Sequence, residues 1–490
     1  MIMSHSGQAR QSGPGALLEK LTAALGAKWV TSDVAGMDGW LTDWRGRYTG
    51  RPLAMVSPAN TMEVAAVVGL CADNGVPIVT QGGNSGMVGG ATPDDSGTQL
   101  LLSTRRLTDL AIKPEAATAT CGAGVILQNL HEAAAGHDLR FPLTLGGKGS
   151  ATIGGLVSTN AGGTQVLRHG TMRRLTLGLE VVLPDRRVLA ADQGLHKDNR
   201  GFDLKQLFIG SEGTLGIITQ VQVRLVPAIA ERVVVWAGVR SLADARNLLL
   251  LCQSTLNERL EGFEVLPQAC LDNVLDFLPA ARAPLPAQHP WHALLEFAGG
   301  ERTADGLRAQ VEQCLAQALA QGLCQDAVIA ASDAQADALW LLRESIAPAE
   351  KARGPAVQHD IAVPPDAMPA VVEQLGREVV DRFPLHDVRA FGHLGDGNIH
   401  FHVVAPRDAP ADWAKGLARD ISAFVYDRIT QFGGTISAEH GIGQDKLATL
   451  ARTHDPVALD LMRAVKRALD PAGLLNPGKL VPLARDHSVS

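Results

Sequence analysis

The sequence predicts an α+β fold of more than one domain, and three observations predict it. A unit of β-α-β size opens the regular part of the chain near Leu53. Three glycine clusters, each flanked by short strand-like runs, follow between residues 81 and 219. From about 230 to 390, Ala/Leu-rich helical stretches alternate with strands. The length of 490 residues suggests roughly three domains at ~150 residues each. With 46% hydrophobic and 19% charged residues the chain can bury a sizeable core. Its net charge of −7 gives no electrostatic footprint for nucleic acid, so a nucleic-acid partner is not expected. No run reaches the ~18 apolar residues of a membrane span. Val233 to Val239 (VVVWAGV) and Leu248 to Cys252 (LLLLC) are of core-strand or core-helix size.

Residues 17–26 have helical spacing and end at Gly26, a fitting C-cap. LAMVSP from Leu53 reads as a strand. Asn60 and Glu63 have capping-box spacing at the start of a helix that stops at Gly75. VPIVT, from Val76 to Thr80, is a buried strand. Residues 101–112 and 117–125 read as short strands, and 125–138 as a helix ending near Gly136. LGLEVVLPDRRVLAA reads as a hairpin turning at Pro184-Asp185. Farther on, helices are expected near 241–257, 303–322 and 333–350, with a Pro-rich loop over 278–290 and a helix at LMRAVKRALD. The N-terminal MIMSHSGQARQSGPG is polar and lacks the apolar core of a secretory signal, so a frayed tail is expected. The six cysteines form no CxxC pair and read as reduced, mostly buried thiols of a cytosolic protein.

The glycine clusters are the first functional clue. QGGNSGMVGGATP (81–93) holds five glycines in thirteen residues at the end of a strand, where bare backbone N–H groups can approach a phosphate closely. LGGKGSATIGGLVSTNAGG (145–163) and IGSEGTLGIIT (209–219) repeat the pattern, and together they suggest one extended ligand threaded between sheets. Neither GxGxxG between strand and helix nor GxxxxGK[ST] is present, which takes support from NAD- or ATP-dependent readings. The second clue is FGHLGDGNIHFHV (391–403), with His393, Asp396, His400 and His402; the last two alternate on a strand and share a face. ISAEHGIG adds Glu439 and His440 between a strand-like TIS and a glycine loop. Two histidines and one carboxylate are a usual divalent-metal triad with open positions left over. Arg343, after a hydrophobic run on an amphipathic helix, is either a solvated helix-face charge or a fork for a substrate carboxylate.

Taken together, QGGNSGMVGGATP, SATIGGLVSTNAGG, LFIGSEGTLGIIT, GHLGDGNIH, ISAEHGIG and LDPAGLLNPGK make the chain resemble, from about residue 40 to 480, the FAD-linked oxidases of the vanillyl-alcohol oxidase superfamily. The branch it resembles is that of the D-2-hydroxyacid dehydrogenases, which includes D-lactate and D-2-hydroxyglutarate dehydrogenases and the flavin subunit of glycolate oxidase. The resemblance implies a two-subdomain FAD-binding domain plus an α+β substrate (cap) domain. The expected divisions are an N-terminal segment (1–45), the FAD-binding domain (46–226), a substrate/cap and metal-site domain (227–470) and a C-terminal segment returning to the FAD domain (471–490). It implies FAD contacts at Gly82, Gly83, Asn84, Ser85, Gly86 and Met87; at Ser150, Gly154, Gly155, Thr159, Asn160 and Gly162; at Glu212, Gly213, Gly216 and Ile217; and at Asn476. The first loop holds no histidine, so non-covalent FAD is expected.

The same resemblance implies a divalent metal, expected to be zinc with manganese or iron as alternatives, on His393, His400 and Glu439. It makes His440 the general base and Arg343 the carboxylate fork. The implied reaction is oxidation of a D-2-hydroxyacid to the 2-oxo acid, with hydride passing to the flavin. An electron acceptor (quinone, electron-transfer flavoprotein or cytochrome) is implied, and a homodimer is expected on symmetry grounds. The expected location is cytoplasmic, with a peripheral place at a membrane as the alternative. Two other roles for the same fold stay open: a flavin subunit of a multi-subunit complex, and a non-redox flavin-dependent transferase. Where members favouring a second carboxylate tend to carry Thr and Lys, this chain has Ala347 and Gln358, and where many relatives have Asn it has His402. These departures tell against 2-hydroxyglutarate and leave D-lactate, glycolate or a larger apolar 2-hydroxyacid open.

Overall fold

The computed structural model describes residues 14–483 apart from 192–193, 196, 301–305, 407–408 and 411–412. Nearly all of the polar N-terminal segment, and the first residues of the helix expected over 303–322, lie outside the described residues.

The N-terminal half is built on two sheets. The first has the strand order Val30–Thr31, Ala54–Val56, Leu100–Ser103, Ile78–Gln81, and its last three strands are parallel. The three parallel strands are buried at every position but Thr80, which is why they read as continuous apolar runs rather than alternating ones. The helix Thr61–Asn74 links two of them. Asn60 caps it by accepting from the Glu63 N–H, the Glu63 carboxylate accepts from the Ala59 N–H, and Gly75 ends it at φ 64°. The strands before and after this helix are not neighbours, because Leu100–Ser103 enters between them.

The second sheet is antiparallel, in the order Leu110–Lys113, Thr118–Gly122, Ile217–Arg224, Thr176–Val182, Val188–Ala191. The expected hairpin at Pro184-Asp185 is present, with Arg186 at φ 74°. The segment 101–112, expected as one strand, is two strands in two sheets, with a turn at 104–109 that carries the chain from one to the other. One apolar core joins both sheets and takes in Leu474 and Leu475 from the far end of the chain, where Asn476 N–H donates to Ile78 O at 2.7 Å.

The second half is a seven-stranded antiparallel sheet: Asp326–Ile329, Glu231–Val239, Trp291–Gly299, Leu260–Pro267, Asp387–His393, Asn398–Val404, Ala356–Ala362. Helices Leu242–Leu256, Leu307–Ala320, Met368–Arg382 and Trp413–Gln431 cover one face. Gln268–Phe277, Asp333–Glu344 and Ile346–Arg353 cover part of the other. Covered on both sides, Glu231–Val239 is apolar at nearly every position. The helix expected over 333–350 is two helices that break at Ser345, which puts Arg343 in the last turn of the first. Thr435, in the strand-like TIS, makes only an isolated bridge to Ala362. All six cysteines are unpaired and buried. Among the described residues, no helix is long and apolar enough to cross a membrane.

Candidate active site

Strand periodicity builds the site. On three adjacent strands the register pairs Ala362 with Asn398 and Asn398 with His393; Asp360 with His400 and His400 with Phe391; Gln358 with His402 and His402 with Arg389. Side chains two apart share a face. One face therefore carries His393, Phe391, Arg389, His400, His402, Asp360 and Gln358, while Ile361, Ile399, Phe401, Val403 and Ala390 point into the core on the other. Glu264, on the next strand, pairs with His393 and joins the polar face.

Glu264 is fully buried and organises two neighbours. Arg343 Nε donates to its Oε2 at 2.8 Å, and His393 Nδ1 makes a very short contact with its Oε1. Burial opposes ionisation of Glu264, but His393 and Arg343 outweigh it and hold the carboxyl well below its ordinary range. Burial likewise opposes charge on His393, yet Glu264 raises it to about 9. Ligand atoms of His393, His400 and Glu439 all lie within 4.8 Å of one another. Burial raises Glu439 to about 7 and drives His400 well down. Arg343 rests its guanidinium 5.1 Å from the Phe391 ring centre.

Asp360, also buried, fixes the Glu439-His440 loop. Its Oδ2 accepts the backbone N–H of Glu439 (2.9 Å) and of His440 (2.8 Å), and lies 3.6 Å from His440 Nδ1. Burial lowers His440 to about 4, so its imidazole is neutral at neutral pH. Asn398 Nδ2 donates to the other oxygen of Asp360 at 2.9 Å.

The glycine clusters converge beside this face. A Cβ on Gly83 would sit 1.7 Å from Ser150 O, so the first and second clusters touch through bare backbone. A Cβ on Gly162 would be 3.7 Å from Glu439 Oε1, which brings the second cluster against the His/Glu group. Glu212 of the third cluster accepts the N–H groups of Ile442 and Gly443, both at 2.7 Å. Asn476 Nδ2 donates to Gly90 O (2.9 Å) and Glu212 O (2.7 Å), tying in the first cluster and the C-terminal segment.

Family comparison matches residues 52–192 to the FAD binding domain and residues 229–480 to FAD linked oxidases, C-terminal domain. The chain belongs to the FAD-linked oxidases. It is 36% identical over 460 residues to the mitochondrial D-2-hydroxyglutarate dehydrogenase of Arabidopsis thaliana, covering 94% of this chain and 80% of that one. It is also 36% identical over 463 residues to the D-2-hydroxyglutarate dehydrogenase of Xanthomonas citri pv. viticola, covering 94% and 96%. Among solved structures, p-cresol methylhydroxylase with substrate bound superposes at a TM-score of 0.73, with 15% identity and 96% of each chain covered. Alkyldihydroxyacetonephosphate synthase superposes at 0.70, with 16% identity and 94% and 84% covered. Those two likenesses show the shared fold.

In this FAD-linked oxidase the expected cofactor residues fall into two groups. Gly82, Gly83, Asn84, Ser85, Gly86, Ser150, Gly162, Glu212, Gly213 and Asn476 lie in the loops just described. Buried oxygens Thr80 Oγ1 and Asn476 Oδ1, both without a hydrogen-bond partner among the described residues, belong to side chains that flank Gly213. A bare-backbone contact with unpaired buried acceptors beside it fits a bound FAD. Thr159 and Gly155 bond to each other, and Asn160 accepts from Arg173 N–H at 2.9 Å. Gly154, Gly216 and Ile217 turn inward: a Cβ on Gly154 would meet Ala123, one on Gly216 would meet Val181 and Phe208, and Ile217 is fully buried. Any contact they make with FAD is through backbone. The donor set of two imidazoles and a carboxylate, with one imidazole backed by a carboxylate, equally fits a divalent metal.

Sequence reasoning missed Glu264, Asp360, Arg45 and Arg47. Arg47 Nη2 donates to Met87 O at 3.0 Å and pairs with Asp445, and Arg45 reaches Met87 Sδ, so the segment between Val30–Thr31 and Ala54–Val56 clamps the first glycine loop. Asp360 had a weak signal, since Gln358 and Asp360 are two apart on one strand and alternate with Val357, His359 and Ile361. Glu264 had only the oddity of a carboxylate inside LEGFEVLP.

Glu212→Ala tests the tie between the third cluster and the 441–443 loop. It leaves two buried N–H groups without their charged acceptor, and a loss of about 2 kcal/mol of stability is expected. Thermal denaturation together with FAD content measures it; an unchanged midpoint would remove Glu212 from the structural account.

Proposed function

We propose that this FAD-linked oxidase oxidises a D-2-hydroxyacid with the help of a divalent cation held by His393, His400 and Glu439. The observation that carries this reading is the single polar sheet face on which these residues meet Arg343 and His440, against the glycine loop that ends at Gly162. The comparison with D-2-hydroxyglutarate dehydrogenases supports it.

FAD is held non-covalently by the three glycine loops and Asn476. When bound, the flavin supplies the hydride acceptor, and the cation, zinc in this reading, supplies the Lewis acid that acidifies the C2 hydroxyl. Arg343 uses Nε on Glu264, which leaves its two Nη groups to receive the substrate carboxylate as a fork. His440 Nδ1 faces Asp360, so Nε2 is the atom that takes the hydroxyl proton, and the buried, neutral imidazole is ready to do so. Asp360 then faces the imidazolium that forms.

The outer row of the face bears on the substrate. His402 Nδ1 lies 2.8 Å from a carboxylate oxygen of the buried Glu350, and Gln358 Nε2 donates to the same oxygen at 3.2 Å. In that row His402 and Gln358 turn to Glu350 and Arg389 pairs with Asp387 of its own strand, so in this reading each has a carboxylate partner already and none is set aside for a second substrate carboxylate. A D-lactate-like or larger uncharged substituent at C2 is the substrate class this supports. The electron acceptor in this reading is a quinone, an electron-transfer flavoprotein or a cytochrome.

Anaerobic titration of the purified protein with D- and L-2-hydroxyacids is the test. The flavin absorbance should bleach with D-lactate or a larger apolar D-acid, and less readily with D-2-hydroxyglutarate. Bleaching by L-isomers alone would overturn the stereochemistry. Preferential bleaching by D-2-hydroxyglutarate would overturn the reading of the outer row.

A further inference from the structure

A cavity of about 610 Å³ opens where the two halves of the chain meet. None of the residues assigned above to FAD, metal or substrate lines it. The FAD half contributes Arg140, Arg168, His169, Arg174 and Arg224, and the cap half contributes Glu258 at the rim. Beneath lies Glu261, buried on the same strand as Glu264. Its carboxylate accepts from Arg168 Nη1 at 2.7 Å and from both Nη groups of Arg140, and His169 Nε2 stands 3.2 Å away.

One carboxylate thus serves two guanidiniums, so positive charge is left over. Arg140 Nε is buried without a hydrogen-bond partner among the described residues. Arg174 and Arg224 are exposed on the cavity wall, and no carboxylate there matches them except the rim residue Glu258. The volume lies within the ~300–1,000 Å³ typical of small-molecule sites. Excess guanidinium donors on the FAD-half wall suit clustered oxyanions better than any neutral ligand.

We infer that this cavity binds a small polyanion, of the phosphate or polycarboxylate class, at the junction of the two halves. The anion takes the exposed guanidiniums of Arg174 and Arg224, beside Arg140 and Arg168. Those two arginines, both held on Glu261, tie that wall to the strand that carries Glu261 and Glu264.

Calorimetric titration of the FAD-loaded protein with inorganic phosphate, and separately with sulfate, at constant ionic strength balanced by chloride, tests this. Neither probe strips a metal as a chelator would. One saturable site is expected, absent with chloride alone. The Arg174→Gln/Arg224→Gln variant changes only exposed side chains and should keep FAD content and turnover, yet weaken binding by roughly tenfold or more, as loss of charge-assisted bonds does. Glu258→Gln, which removes the rim carboxylate, should tighten it. No saturable heat, or equal affinity in the wild-type protein and the double-arginine variant, would overturn the proposal. Saturation by phosphate but not sulfate would support it and mark a site that recognises phosphate specifically.

Discussion

His440→Asn is expected to lower kcat by roughly 10²–10⁴-fold, the usual worth of a positioned general base, while FAD content, metal content and KM stay close to wild type. The separation follows from what holds His440. Its backbone N–H and that of Glu439 both end on Asp360 Oδ2, so the loop keeps its place when the side chain changes. Asparagine retains a polar side chain near Asp360 but cannot accept the proton. Burial lowers His440 to about 4, so the proposed base is neutral throughout the neutral range and becomes protonated only as pH falls toward that value. Stopped-flow measurement of flavin reduction checks this directly. Unchanged reduction in the variant would mean that another group takes the proton, and the mechanism would have to be redrawn.

The contrast between His440 and Asp360 shows what the sequence could and could not reveal. Residues that sit in glycine-bounded loops announced themselves: His393, Glu439 and His440 belong to short strings whose composition no core element would use. The three glycine clusters did the same, because close approach of backbone to backbone, as between Gly83 and Ser150, needs glycine and little else. The carboxylates that act from inside regular strands stayed hidden, although His400 on the strand Asn398–Val404 was legible from its string. Glu264 and Asp360 each sit at one position of a strand with mixed polar and apolar residues, and their partners lie 129 and 80 positions away. Only the cross-strand register brings them to the face that needs them.

Strand order was hidden for a similar reason. Nothing local in 101–112 marks the point at which the chain leaves one sheet for the next, because both strands are short and bounded by ordinary turn residues. The break at Ser345 was equally unmarked, although it puts Arg343 at a helix end, within reach of Glu264.

Glu264→Gln should be the most damaging substitution away from the reacting atoms. The change keeps the volume but removes the charge that two buried cations share. An amide in this place cannot accept from both Arg343 Nε and His393 Nδ1 as the carboxylate does, so at least one neighbour loses its partner. Breaking a buried pair of this kind costs about 3–5 kcal/mol. Loss of the carboxylate behind a metal-binding imidazole lowers metal affinity by about 10–100-fold. KM should also rise, because the Arg343 fork is no longer held. The pH dependence has a definite sign. The Glu264 carboxyl lies below its ordinary value of 4.5 in the folded protein, so the stability it contributes is complete above that value and is lost as pH falls below it. The gap in unfolding free energy between wild type and variant should therefore be widest at neutral pH and should narrow in acid. A gap that stays constant with pH would mean that Glu264 acts through packing alone. Metal loss without a rise in KM would assign its carboxylate to His393 and release Arg343 from its control.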